Sequence, residues 1–253
     1  MSADLTSPAG GRPPAVTANP TPLVLLGHGT RSEPGRRVVE DLAAQVTDRL
    51  PDLPVRLGYL DVIEPTAAQV LDGLDEAVVV PLLMTAGYHI DVDLPQVIGD
   101  RTGIIVTPVF TEAADLAAIA AQRLAQTEAG SGTTHDPVVL LGAGSSVDKA
   151  CRQVERVAAR LAEGTGRTVR HGFLSAAEPA AEEVVRDVLA ERPAGGVTVI
   201  PLLLAPGYFL SLAVKLADLD PSRVRIAEPL GADPLLVDSV LTGYASHGET
   251  TAG

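Results

Sequence analysis

A chain of 253 residues carrying a formal net charge of −13 at neutral pH argues against nucleic acid as a partner, since gripping its phosphate backbone needs a basic face. Aromatic residues make up only 3% and tryptophan is absent, so the core must be built from Leu, Val, Ile and Ala, the composition of a parallel sheet covered by helices. The one cysteine, Cys151, excludes an internal disulfide and fits a reducing, cytoplasmic setting, and no run of 18 apolar residues is present to span a membrane.

Residues 1–20 are rich in Ser, Gly and Pro without an apolar signal-type stretch and read as a disordered tail. Strands are then expected at 23–26, 55–60, 77–81 and 104–108. Helices are expected at 34–50, 65–74, briefly after His89, and at 112–126. Strands alternating with helices of this length predict βαβ units and a parallel sheet. Pro34 and Pro65 are read as first-turn prolines of their helices. Residues 128–136, rich in Gly, Ser and Thr, read as a linker.

The pattern then begins again. Val138-Val-Leu-Leu-Gly-Ala-Gly-Ser-Ser146 echoes Leu23-Val-Leu-Leu-Gly-His-Gly-Thr-Arg31. Gly172-Phe-Leu-Ser-Ala-Ala-Glu-Pro179 echoes Gly58-Tyr-Leu-Asp-Val-Ile-Glu-Pro65, and Ile200-Pro-Leu-Leu-Leu-Ala-Pro-Gly-Tyr-Phe209 echoes Val80-Pro-Leu-Leu-Met-Thr-Ala-Gly-Tyr-His89. The echoes keep their order at an offset of about 115 to 120 residues, the mark of a duplicated unit. Two homologous four-stranded, flavodoxin-like α/β lobes are expected, at 21–127 and 137–246, with 247–253 as a frayed tail.

The copies agree where the fold is made, as at Gly27 and Gly142, Gly29 and Gly144, or Tyr88 and Tyr208. They differ where a ligand could bind. His28 is matched by Ala143, His89 by Phe209, Asp61 by Ser175 and Asp93 by Ala213. A strand order 2-1-3-4 opens its crevice between strands 1 and 3, where His28 and His89 follow their strands, with Asp61 further along the same rim. Two neutral imidazoles across a cleft suit a borderline divalent ion such as Fe²⁺, Co²⁺, Ni²⁺ or Zn²⁺. They also exchange protons near neutral pH, and a neighbouring carboxylate can relay them.

Other polar residues carry plainer readings. Glu64 recurs as Glu178 and is read as a helix-start acid favoured by the dipole; Asp91 and Asp93 admit the same reading. His135, in the linker, and His171, in a strand, have no matching partner. Cys151 is read as a small packing residue. Gly-His-Gly-Thr could be a turn facing a phosphate, but the nucleotide-binding glycine patterns are absent.

The motifs at 25–31, at 59–66 (Tyr-Leu-Asp-Val-Ile-Glu-Pro-Thr) and at 81–95 (Pro-Leu-Leu-Met-Thr-Ala-Gly-Tyr-His-Ile-Asp-Val-Asp-Leu-Pro) together resemble the CbiX/SirB class II chelatases in their long, two-lobe form. The resemblance implies ATP-independent insertion of a divalent metal into sirohydrochlorin, a tetrapyrrole, for sirohaem (iron) or cobalamin (cobalt). It implies that His28 and His89 bind the metal and help to remove pyrrole protons. Asp61 stands where many members carry the glutamate of a Phe-x-Glu motif, a departure that keeps the charge on a shorter arm. The histidine-free lobe would form the other wall of the tetrapyrrole cleft. Arg31 and Tyr88 are the candidates for contacting the substrate, whose carboxylates call for a basic or polar lining. One chain would suffice for a complete cleft, so a monomer is sufficient, and a homo-oligomer stays open. The competing reading is a tetrapyrrole or metal carrier without turnover.

Overall fold

A computed structural model describes residues 20–131 and 137–248, and both halves fold as the duplication predicts. The first contains β1 (Leu23–Gly27), α1 (Glu33–Arg49), β2 (Val55–Tyr59), α2 (Ala67–Val70), β3 (Glu76–Pro81), a π-helical turn (His89–Asp93), α3 (Leu94–Ile98), β4 (Gly103–Val106), α4 (Phe110–Ala113) and α5 (Leu116–Ser131). The second contains β5 (Val138–Gly142), α6 (Asp148–Thr165), β6 (Val169–Phe173), α7 (Ala181–Glu191), β7 (Val197–Pro201), α8 (Tyr208–Lys215), a 3₁₀ turn (Leu216–Leu219), β8 (Val224–Ile226) and α9 (Pro234–Gly248). Each sheet is four-stranded and parallel, in the orders β2-β1-β3-β4 and β6-β5-β7-β8. The crevice between the first and third strands is thus present twice.

The central strands are apolar throughout because both of their faces are covered. Leu23 and Leu25 of β1 face a core shared with Val138 and Leu140 of β5. Val24 and Leu26 face outward onto α2 and α3, and Val139 and Leu141 onto α7 and α8. The shared core is filled by α1, α5, α6 and α9, giving five layers with helices between the two sheets. Two of these middle helices are exchanged: α5 packs on α6 and β7 of the other half, and α9 on α1 and β3. Polar ties follow the exchange. Arg123 of α5 donates to the carbonyls of Pro229 (3.0 Å) and Leu230 and reaches the carboxylate of Asp233. Arg167 pairs with Glu128 at 3.1 Å, and the Tyr244 hydroxyl donates to Thr21 O at 2.9 Å.

Several boundaries differ from the expected ones. Pro34 lies in the first turn of α1, capped by Ser32, but Pro65 precedes α2. Its carbonyl accepts from Tyr59 N, and Thr66 caps the helix in a reciprocal pair with Gln69. α2 stops at Val70 because Arg56 and Arg101 take up the carbonyls of Val70, Leu71 and Leu74, and Gly73 turns the chain at φ +68°. The expected helix at 112–126 is two helices, broken where Ala114 is extended and Asp115 Oδ1 accepts Ala118 N–H. The first four residues of the expected linker, Glu128 to Ser131, continue α5; residues 132–136 lie outside the described residues. His247, expected in a tail, sits in the last turn of α9 with Nδ1 2.8 Å from Gly243 O. The tail expected at 1–20 lies outside the described residues except for Pro20, as do 249–253. No helix among the described residues is long and apolar enough to cross a membrane.

Candidate active site

The loop that carries His28 is fastened to the loop after β2. Leu60 N donates to Gly27 O (2.9 Å) and Asp61 N to His28 O (3.0 Å). Gly29, at φ +100°, comes so close that a Cβ there would lie 2.0 Å from Asp61 O. Asp61 Oδ1 accepts the N–H of Val62 at 2.7 Å, holding that residue at φ +72°, which a β-branched side chain rarely adopts. The second half repeats the scaffold: Gly144 at φ +97° against Ser175 O, with Ala176 at φ +52°. Its side chains at these places are Ala143 and Ser175, and the serine hydroxyl is spent on Ala143 O at 2.9 Å. The geometry is duplicated; the ionisable groups are not.

His89 opens the π-helical turn after β3. Leu94 N there reaches back to His89 O, and Pro95, lacking an N–H, follows at once. His89 Nδ1 lies 2.6 Å from Asp93 Oδ2. With that carboxylate ionised, Nδ1 is the donor and Nε2 presents a lone pair. The rings of His28 and His89 have centroids 4.7 Å apart at 49°. Two imidazoles sharing one first-row ion, with nitrogens about 2 Å from it, would have centroids roughly 4.5 to 5 Å apart. Burial in the cleft lowers the pKa of His28, the neighbouring His89 lowers it further, and Asp61 opposes both. His28 is therefore held neutral, the form that binds metal or takes a proton. Among the described residues no group of three or more His, Cys, Asp or Glu could hold a metal, so Asp61 does not complete a three-ligand set. A two-nitrogen site leaves open positions, which suits an ion being passed on.

Both imidazoles line a cleft of about 930 Å³ between the halves. Arg31 stands exposed on its rim with no ion pair among the described residues. Tyr88 is 61% exposed, its ring edge-on to His89 at 6.4 Å. The facing wall is mainly apolar, with Phe173, Leu203, Leu204 and Phe209, and includes Ser145 and Cys151, whose thiol donates to Ser145 O at 3.4 Å. The first-strand loop of each half meets the third-strand loop of the other. A Cβ on Gly207 would lie 3.5 Å from Thr30 Oγ1, and one on Gly87 3.8 Å from Ser145 Oγ.

All five expected site residues, His28, His89, Asp61, Arg31 and Tyr88, thus line one cleft. His171 is elsewhere, between Phe173 and Glu155, and His135 lies outside the described residues. Glu64, read as a helix-start acid, is exposed two residues ahead of the α2 cap, with the Gln69 amide 3.5 Å away. Asp93, one of the four positions at which the copies differ but given no role of its own from the sequence, is set on His89 by the structure. Its signal was the spacing His-x-x-x-Asp, which stacks two side chains one turn apart.

The CbiX family model matches residues 22–127 and again 137–246. A sirohydrochlorin cobaltochelatase of Methanopyrus kandleri is 34% identical over 82 residues, which are 30% of this chain and 57% of that protein. The match thus spans little more than half of that relative's length. SirB from Bacillus subtilis with Fe³⁺ superposes with a TM-score of 0.73 at 21% identity, covering 90% of this chain and 96% of that one. SirB from Bacillus subtilis subspecies spizizenii in complex with cobalt gives 0.69 at 20% identity, covering 92% and 97%. The two structural likenesses establish a shared two-lobe fold.

Proposed function

The chain belongs to the CbiX family, and from that premise we propose that it is a sirohydrochlorin chelatase, taking Fe²⁺ or Co²⁺ and the free macrocycle as substrates. The observation that carries this reading is the pair of imidazoles 4.7 Å apart on one wall of a cleft whose other wall is the histidine-free duplicate. The named relatives share this chemistry: a cobaltochelatase by sequence, and SirB with iron or cobalt by fold.

In the proposed reaction one M²⁺ replaces two pyrrole N–H protons, which leave to solvent. His28 and His89 hold the incoming ion through neutral nitrogens, and the pyrrole nitrogens displace them as they deprotonate. Each imidazole released from the ion becomes a base for one pyrrole proton. The lowered pKa of His28 speeds the return of that proton to water. Asp61 favours the transient imidazolium, since it is the one neighbour that raises the pKa of His28. Asp93 fixes the tautomer and orientation of His89 through its contact at Nδ1. Arg31 engages a carboxylate of the macrocycle and Tyr88 covers its edge. No nucleotide takes part, and one chain supplies both walls. Ni²⁺ and Zn²⁺ also fit two imidazoles, so supply of the metal decides among ions. A reducing cytoplasm suits Fe²⁺ and the free Cys151 thiol.

The test follows the macrocycle's absorbance with Co²⁺ or Fe²⁺. We expect many macrocycles metallated per chain, and loss of insertion in His28→Ala and in His89→Ala. Metallation that stops at one macrocycle per chain would establish a carrier, and unchanged rates in both variants would remove the histidines from the mechanism.

A further inference from the structure

Gln153, on α6 of the histidine-free half, is fully buried at 0% exposure, yet its side-chain amide belongs to the other half. Oε1 accepts the backbone N–H of Ala86 at 2.9 Å, and Nε2 donates to Glu112 Oε1 at 2.8 Å. Glu112 is in turn paired with Lys149 at 3.3 Å. Ala86 lies three residues before His89 in the loop that leaves β3. Without Gln153 its N–H would be a buried donor with no acceptor, a costly state that the loop would move to relieve.

The duplicated half shows what this clamp accompanies. Val39 and Val154 each lie against the glycine that ends the first strand, Gly27 or Gly142, so the counterpart of Gln153 is Val38. Leu82 and Leu202 bond the carbonyls of Leu26 and Leu141, which makes Pro206, with no N–H, the counterpart of Ala86. Phe110 and Leu230 bond Leu83 and Leu203 in the same way, which makes Ala232 the counterpart of Glu112. All three members are missing where the loop carries Phe209 in place of His89.

We propose that Gln153 is a positioning residue for His89: the histidine-free half reaches across and, through Ala86, sets the imidazole in register with His28. This rests on the reading of His28 and His89 as the metal-holding pair. The clamp touches neither macrocycle nor metal, so its loss acts on turnover and on metal geometry, and not on macrocycle affinity.

Gln153→Leu keeps the volume and removes both hydrogen bonds. In the full-length chain, kcat for Co²⁺ insertion should fall about tenfold, as for other residues that orient metal ligands. KM for sirohydrochlorin should change less than twofold, and the visible spectrum of Co²⁺ bound without macrocycle should shift. Gln153→Glu alone sets two carboxylates face to face and should be at least as slow. Combined with Glu112→Gln it restores a carboxylate–amide pair that still accepts from Ala86, and should recover at least half of the wild-type rate. Wild-type kcat and Co²⁺ spectrum in folded Gln153→Leu would overturn the proposal, as would a folded double variant no faster than Gln153→Glu. If Gln153→Leu fails to fold, the double variant decides alone. Failure of the underlying reading is visible separately, because His89→Ala would then insert metal at the wild-type rate whatever Gln153 does.

Discussion

Asp93 Oδ2 sits 2.6 Å from His89 Nδ1, four residues on along the same π-helical turn. An ionised acceptor at that nitrogen does three things at once. It fixes the tautomer, it turns Nε2 toward the cleft, and it makes the ring a better donor to a metal. The same turn of chain in the second half offers Phe209 and Ala213, so neither partner of this contact survives there.

Removing the carboxylate should therefore slow insertion without unfolding the chain. Asp93→Asn keeps an acceptor but loses the charge, and should cost about tenfold in kcat. Asp93→Ala, which also frees the ring to rotate, should approach the upper end of the range for such partners, roughly a hundredfold. Steady-state Co²⁺ insertion, with circular dichroism as the check on folding, measures both; a wild-type rate in Asp93→Ala would show that His89 is oriented by something else.

His28 should titrate below the ordinary imidazole value of 6.5, because the cleft desolvates it and His89 lies beside it. The sign for stability follows. With the native value depressed, the unfolded chain binds more protons between the two values, so stability rises with pH across that window. The contribution of His28 is complete above 6.5 and is lost as pH falls through the native value. An NMR titration of the metal-free protein should place the His28 ring midpoint below 6.5, move it up in His89→Ala and move it further down in Asp61→Asn. A wild-type midpoint at or above 6.5 would contradict the geometry.

Much of this was legible because the chain carries its own comparison. Shared Gly, Pro and Tyr positions report the scaffold, and the four mismatched positions point to the candidate site. Strand order was legible for a related reason, since crossover helices of this length permit few parallel arrangements. The exchange of α5 and α9 was not. Apolar residues on a helix show that it covers a sheet, not which of two equivalent sheets. α2 was overestimated because the side chains that end it, Arg56 and Arg101, lie outside the helix in sequence. Gln153 did leave a trace: it is the polar residue on the buried stripe Ala150, Val154, Val157, Ala158 and Leu161.

The fastening of the β1 and β2 loops should dominate local stability. Gly29→Ala brings a Cβ to 2.0 Å from Asp61 O, and Gly144→Ala brings one to 1.7 Å from Ser175 O, both at positive φ. Each must displace backbone, and a loss of about 3 kcal/mol or more is expected. Gly73→Ala, also at positive φ but with nothing within 4 Å, should cost only about 1 kcal/mol. Chemical denaturation of the three variants tests the ranking. If Gly73→Ala proved as damaging as the other two, backbone conformation and not the close approach would be the cause.

The width of the cleft should be set by a contact between the halves. A Cβ on Gly35, in the first turn of α1, would lie 2.1 Å from Pro206 O and 2.9 Å from Thr30 Cγ2, whereas its counterpart Ala150 carries a side chain freely. An alanine in an open helix would be worth about 1 kcal/mol over glycine. Here it must push the 202–208 wall aside, and overpacking of about 1 to 3 kcal/mol outweighs that gain. Gly35→Ala should accordingly lower the melting temperature by several degrees and raise KM for sirohydrochlorin several-fold. Co²⁺ affinity without macrocycle should stay as it was, since His28 and His89 both lie on the wall that does not move. An unchanged KM with a lowered melting temperature would mean that the macrocycle does not span the two halves.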